Sequence, residues 1–288
     1  VKGGRRRLRS YFMPSTYDGF MKTPFFDIVV PVDGSATGRR GVEYAIGLAG
    51  DGVTLHFCSV VSESAIGAAE DAQSVCSDAV ALAAKCGVFA DTRILFGPVA
   101  PAICDYAREV YGDAIVIGTH ARQGLARAVF GSVTERLLAI SKIPVVVTHV
   151  DDALETAGPI TVAVDDMMPS RAALKMGVDL AKTCGVSLVI ETVTGPERAD
   201  WRHASDLLSD AADVARDSDV DFELVTVAGR VAEEIVADGE KRMSPAIVVG
   251  TGNHSPVARL LFGSVAAFVL EHARLPVIVV PQQPAATG

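Results

Sequence analysis

Two stretches of this sequence carry residues that could hold an anion: GTHARQGLARAVFGSV at 118–133 and GTGNHSPVARLLFGSV at 250–265. Each starts with Gly-Thr at the end of an apolar run, crosses a loop and reaches a Gly-Ser-Val that opens a helical pattern. The first amides of a helix have no intrahelical acceptor and sit at the positive end of its dipole, so they attract negative charge. Ser132 and Ser264 read as natural N-caps, and the glycine before each lets a ligand approach the backbone. Phosphate fits this chemistry best. Asp33 and Asp165 close the apolar runs FDIVVPVD and ITVAVDD, at the strand ends where open parallel sheets gather their ligands.

These residues occur twice in register. Asp33 and Asp165, Gly118 and Gly250, Gly131 and Gly263, and Ser132 and Ser264 are all separated by one constant offset of 132 residues. Duplication of a core alone would mainly repeat Val, Leu and Ile, whereas here Gly, Ser, Asp and Arg repeat as well. A period this long exceeds the roughly 20 to 50 residues of a solenoid repeat and matches a whole small domain. The bland alternatives are turn chemistry at Asp33-Gly34-Ser35, helix capping alone at Ser132 and Ser264, and surface ion pairs for Arg127 and Arg259.

The elements that must position these groups alternate. In the first half, strand-like runs at 26–33, 53–61, 89–97, 113–119 and 144–150 are separated by Ala-rich stretches with helical spacing, among them AAEDAQSVCSDAVALAAKCG. The second half repeats the order with ITVAVDD, VSLVIETV, DFELVTVAG, PAIVVGT and PVIVVPQ. This alternation predicts an α/β chain of two doubly wound, five-stranded parallel-sheet domains in tandem, with ligands at the carboxyl ends of the strands. The expected boundaries are 26–150 and 159–282, joined by a polar linker at 151–158. Residues 1–25, opening with VKGGRRRLRS, read as a disordered leader, with Met13 or Met21 as a native start, and 283–288 as a tail.

Composition narrows the function classes. The chain has 288 residues, is 49% hydrophobic and only 6% aromatic, as buried Val-rich strands under Ala-rich helices require. A formal net charge of -9 argues against nucleic acid, which needs a basic footprint. No run approaches the about 18 apolar residues of a membrane span. Five cysteines without a C-x-x-C pair, and histidines without i,i+4 pairing, predict neither disulfide nor bound metal and suit the cytoplasm. Neither a G-x-x-x-x-G-K-[ST] loop nor a G-x-S-x-G elbow is present, so an enzyme is not expected.

PVDGS after an apolar strand, Gly-Thr at 118, Gly-Ser-Val at 131 and a closing IPVVV strand resemble the universal stress protein family, and the two copies resemble its tandem members. The resemblance covers about residues 26–150 and 159–282. It implies a Rossmann-like, adenine nucleotide hydrolase-like fold and a nucleotide-sensing stress-response protein that changes partners or assembly when occupied. The nucleotide-binding branch of that family carries G-x2-G-x9-G-[ST], whose loop holds ATP phosphates while the first-strand Asp reaches the ribose. Carried over by position, the implied site is Asp33, Gly118, Thr119, Ala121, Arg127, Gly131, Ser132 and Val133, then Asp165, Gly250, Thr251, Asn253, Gly263, Ser264 and Val265. The ligand implied is ATP, with or without Mg2+.

The second glycine of that signature is Ala121 in one copy and Asn253 in the other. A positive φ would favour Asn, whereas room for phosphate would favour Ala, so the two demands rank the halves oppositely. HARQGLAR brings Arg122 and Arg127 toward the phosphates while Pro256 stiffens the other loop, which favours the first half. The resemblance also implies that the two closing strands pair as an internal pseudo-dimer and that the chain forms a homodimer. Slow ATP hydrolysis is compatible with the pattern. The competing class is an interaction module that acts through dimerisation without nucleotide.

Overall fold

The computed structural model describes residues 23–61, 68–119, 131–149, 158–166, 168–195, 201–251 and 263–281. The expectations for Ala121, Arg127, Asn253, Arg122, Pro256 and Arg259, for the leader up to residue 22, for the linker at 151–157 and for the tail at 283–288 fall outside the described residues. In chain order the elements of the first half are β1 Asp27–Pro31, α1 Ala36–Leu48, β2 Thr54–Val61, α2 Ala68–Lys85, β3 Phe89–Phe96, α3 Val99–Glu109, β4 Ala114–Thr119, α4 Ser132–Ile140 and β5 Val145–His149. The second half follows with β6 Ile160–Ala163, α5 Met168–Cys184, β7 Leu188–Thr194, α6 Trp201–Arg216, β8 Phe222–Ala228, α7 Val231–Lys241, β9 Ile247–Gly250, α8 Ser264–His272 and β10 Val277–Val280.

The strands form one ten-stranded sheet in the order β3-β2-β1-β4-β5-β10-β9-β6-β7-β8. Within each half the pairs are parallel, and β5 meets β10 antiparallel, with Val146 opposite Ile278. Each closing strand is thereby covered by the other, which removes two apolar edges that would otherwise template association. The strands that do end the sheet, β3 and β8, carry Asp91, Arg93 and Glu223 among their exposed or half-buried positions, a composition suited to an open edge.

Helices cover both faces. Val42 and Ala45 of α1, Cys76 of α2, Ala173 of α5 and Leu208 of α6 pack on one side. Ile103 of α3, Leu137 of α4, Ile235 of α7 and Val269 of α8 pack on the other. Central strand residues such as Ile28, Val29 and Val30 are fully buried because both faces are covered. In each half the strand order reverses between the first and fourth strands, β1 with β4 and β6 with β9. That reversal opens a crevice at their carboxyl ends.

The offset of 132 is not constant through the structure. Ile28 of β1 faces Leu55 of β2, whereas Ile160 of β6 faces Leu188 of β7, so the second strand of each half is related by 133 residues. The next strand restores 132, since Leu55 faces Ala90 and Leu188 faces Phe222. Because side chains alternate across a sheet, a one-residue shift decides which face each residue takes. The structural counterpart of Glu191 is therefore Cys58, and that of Thr192 is Ser59.

Candidate functional site

In the first half the turn after β1 is built by Asp33-Gly34-Ser35. Asp33 Oδ1 accepts from the Ser35 amide at 2.9 Å and from Ser35 Oγ at 2.6 Å, while Ser35 Oγ accepts from the Gly38 amide at 3.0 Å and caps α1. Gly34 takes φ +76°, a conformation L side chains avoid, so the turn needs glycine. One carboxylate oxygen thus holds the turn. The other has no hydrogen-bond partner among the described residues, and the exposed carboxylate lines a cavity of about 670 Å³. That volume lies within the range of small-molecule sites.

The same cavity is lined by Gly118 and Thr119 from β4, by Gly131, Ser132, Val133 and Thr134 from the start of α4, and by Cys58 from β2. The structure corrects the capping expectation: Gly131 is the N-cap of α4 and Gly263 that of α8, neither giving a side-chain cap, while Ser132 and Ser264 are the first helical residues. The amides of Ser132, Val133 and Thr134 precede the first intrahelical bond, which runs from the Glu135 amide to the Gly131 carbonyl at 3.2 Å. A Cβ added at Gly131 would meet nothing within 4 Å among the described residues, and its φ of -57° suits any amino acid. Among the described residues no neighbour, and no backbone strain, accounts for glycine there.

Gly118 has the opposite character. A Cβ there would lie 1.8 Å from the Thr37 carbonyl oxygen and 3.2 Å from the Gly41 amide. Its glycine is required by the close approach of α1 to β4, whatever else the position does.

The second crevice, of about 420 Å³, repeats much of this lining with Asp165, Val231, Ile235, Val249, Gly250, Gly263, Ser264 and Val265. Thr251 is buried next to it and accepts from the Gly263 amide at 2.7 Å, so the open amides of this copy begin at Ser264. The turn after β6 differs, because the Asp165 amide donates to Ser170 Oγ at 2.8 Å. The largest difference lies deeper. Where the first crevice has the buried thiol of Cys58, whose acidity burial suppresses further, the second has Glu191, fully buried and lining the cavity.

The model of the universal stress protein family matches residues 24–149 and again 157–281. The chain belongs to the universal stress protein family. Among its relatives, a universal stress protein of Mycobacterium tuberculosis is 29% identical over 237 residues, covering 74% of this chain and 78% of that protein. Another, from Methanocaldococcus jannaschii, is 30% identical over 135 residues, 42% of this chain and 79% of the relative. The crystal structure of a universal stress protein from Archaeoglobus fulgidus superposes with a TM-score of 0.77 at 21% identity, covering 89% of this chain and 98% of the other. A Pseudomonas aeruginosa structure gives 0.66 at 16% identity, over 90% and 94%. At those identities the two structures speak for the fold.

Within this universal stress protein the fold gathers Asp33, Gly118, Thr119, Gly131, Ser132 and Val133 around one cavity, and Asp165, Gly250, Gly263, Ser264 and Val265 around the other. Sequence reasoning missed Glu191. The signal was present as a single carboxylate inside the apolar run VSLVIETV, a position that reads as strand and is buried on both faces. Burial pushes its carboxyl up to about 7, with the negative charges of Asp238 and Glu234 adding to the effect and Arg242 opposing it. No helix among the described residues is long and apolar enough to cross a membrane, and no cluster of three His, Cys, Asp or Glu among them could hold a metal ion.

Proposed function

We propose that this universal stress protein binds adenine nucleotide, ATP with or without Mg2+, in the first crevice and in its second copy, and that occupancy changes its partners or assembly in stress signalling. The observation that carries this reading is the helix start at α4. Among the described residues its glycine is demanded neither by packing nor by φ, the residues that carry its next amides line a cavity of nucleotide size, and Asp33 lines the same cavity with a carboxylate oxygen the turn does not use. A triphosphate would rest on the Ser132, Val133 and Thr134 amides, and Asp33 would receive ribose hydroxyls. The amides of Ser264 and Val265 and the carboxylate of Asp165 would take these parts in the second copy. Mg2+ would be held chiefly by the phosphates and water, as is usual for this ion.

The role we propose is binding rather than catalysis, and slow hydrolysis of bound ATP is compatible with it. Action in the cytoplasm and homodimerisation belong to the same reading. Melting of the purified chain with and without ATP tests it. A ligand at 100 times its dissociation constant stabilises by about 2.7 kcal/mol, and at about 2 to 4 °C per kcal/mol for a domain of this size the expected rise is on the order of 5 to 10 °C. An unchanged melting point at millimolar ATP, with and without magnesium, favours the interaction-module class instead.

A further inference from the structure

We propose that Glu191 is a ligand-contacting residue of the second crevice, where its carboxyl group in the acid form pairs with the amidine edge of an adenine base and makes occupancy of that crevice proton-dependent. This rests on the reading of the crevices as adenine-nucleotide sites and assigns to the second a recognition chemistry the first lacks. Glu191 lines the cavity with no exposed surface, and among the described residues neither of its carboxylate oxygens has a hydrogen-bond partner. A buried polar group without a partner is costly, and a ligand that supplies one recovers that cost. The adjacent lining residues, Thr192, Val193, Val231 and Ile235, offer at most a hydroxyl.

The placement suits a nucleoside. The open amides of Ser264 and Val265 follow β9, and Glu191 sits on β7, with β6 between them. Two strand spacings separate the two walls by roughly 10 Å, a separation compatible with a phosphate at one wall and a base edge at the other. Adenine presents an amino N–H beside a ring nitrogen. A neutral carboxyl matches it, its C=O accepting from the amino group and its O–H donating to the ring nitrogen, whereas a carboxylate offers acceptors only.

The surroundings hold the proton. Burial acts first, and Asp238 and Glu234 of α7 add negative potential, while Asp165 stands at the same cavity. Arg242 is the opposing cation, and its guanidinium is engaged by Glu223 of β8 at 2.7 and 3.1 Å and by Asp238 at 2.5 Å. The residues facing Glu191 across the strand pairs, Ala163 of β6 and Val225 of β8, are uncharged. Balanced in this way the carboxyl titrates at about 7. In the first crevice the corresponding residue is Cys58, which cannot present the paired donor and acceptor.

Calorimetric titration of the full chain with ATP at pH 6 and 8.5 tests the assignment in the wild type, Glu191→Gln and Glu191→Ala. Since the substitutions lie in the second crevice, differences between the proteins report on that crevice, and the titration of ATP itself cancels. The Gln amide offers an N–H donor and a C=O acceptor at every pH, with no titrating proton. A group titrating at about 7 predicts that wild-type affinity in this crevice falls about thirtyfold between the two pH values relative to Glu191→Gln. Glu191→Gln binds tightly at both, and Glu191→Ala weakly at both. Binding with the same pH profile in all three overturns the role of Glu191 while leaving the nucleotide reading intact. Absence of binding in all three removes the nucleotide reading and this proposal with it.

Discussion

Replacing Gly118 by alanine is expected to destabilise the first half by on the order of 3 kcal/mol, at the upper end for overpacked sites. The added methyl would collide with backbone, the Thr37 carbonyl oxygen at 1.8 Å, and no rotamer change can relieve a clash with a carbonyl inside α1. Relief requires α1 to move off β4, and α1 also carries Val42, Ala45 and Leu48 of the buried layer. Gly41 stands in the way as well, since its own Cβ position lies 2.9 Å from the Gly118 amide. Thermal melting should show a fall of roughly 8 °C. A change within 1 °C would mean that the helix and strand are not held this closely.

Replacing Glu191 by glutamine should make the protein more stable, by an amount that depends on pH. The folded state raises this carboxyl from 4.5 to about 7, so between those values the folded chain binds more protons than the unfolded one. Stability therefore declines as pH rises through that window, and above it the loss is complete. At about 1.4 kcal/mol per unit the loss is roughly 3 kcal/mol, which the neutral amide does not incur. The two proteins should melt alike near pH 4.5, diverge up to about pH 7 and differ by a constant amount above it, with the glutamine variant higher. A difference that stays constant between pH 4.5 and 7 would contradict the account, because a constant offset there reflects packing rather than a proton.

Much of the fold was legible because its determinants are local. Runs such as DIVVP and AIVIGT are short, β-branched and apolar, and the Ala-rich stretches between them carry helical spacing, so alternation alone leads to a parallel doubly wound sheet. The helix starts at 132 and 264 were legible from Gly-Ser-Val, although the capping role belongs to the glycines. Two things were hidden. The 133-residue relation between β2 and β7 shows only in strand register, which a single sequence does not display, and it is this shift that sets Glu191 opposite Cys58 in the duplicated plan. The reason for each glycine was hidden too: Gly118 and Gly131 look alike in the motif, yet one is enforced by the Thr37 carbonyl and the other meets no neighbour among the described residues.

That contrast gives the most direct measurement. Alanine at Gly131 meets no protein atom within 4 Å among the described residues and keeps an ordinary φ, so stability should change by no more than about 1 kcal/mol, the scale of an N-cap substitution. Its methyl would stand over the amides proposed to hold the triphosphate. Titrating ATP into the wild type and into Gly131→Ala should show the first-crevice affinity falling tenfold or more while the melting point of the free protein barely moves. Equal affinity in the two proteins, or no ATP binding by the wild type at all, would contradict the claim that this helix start is a phosphate site.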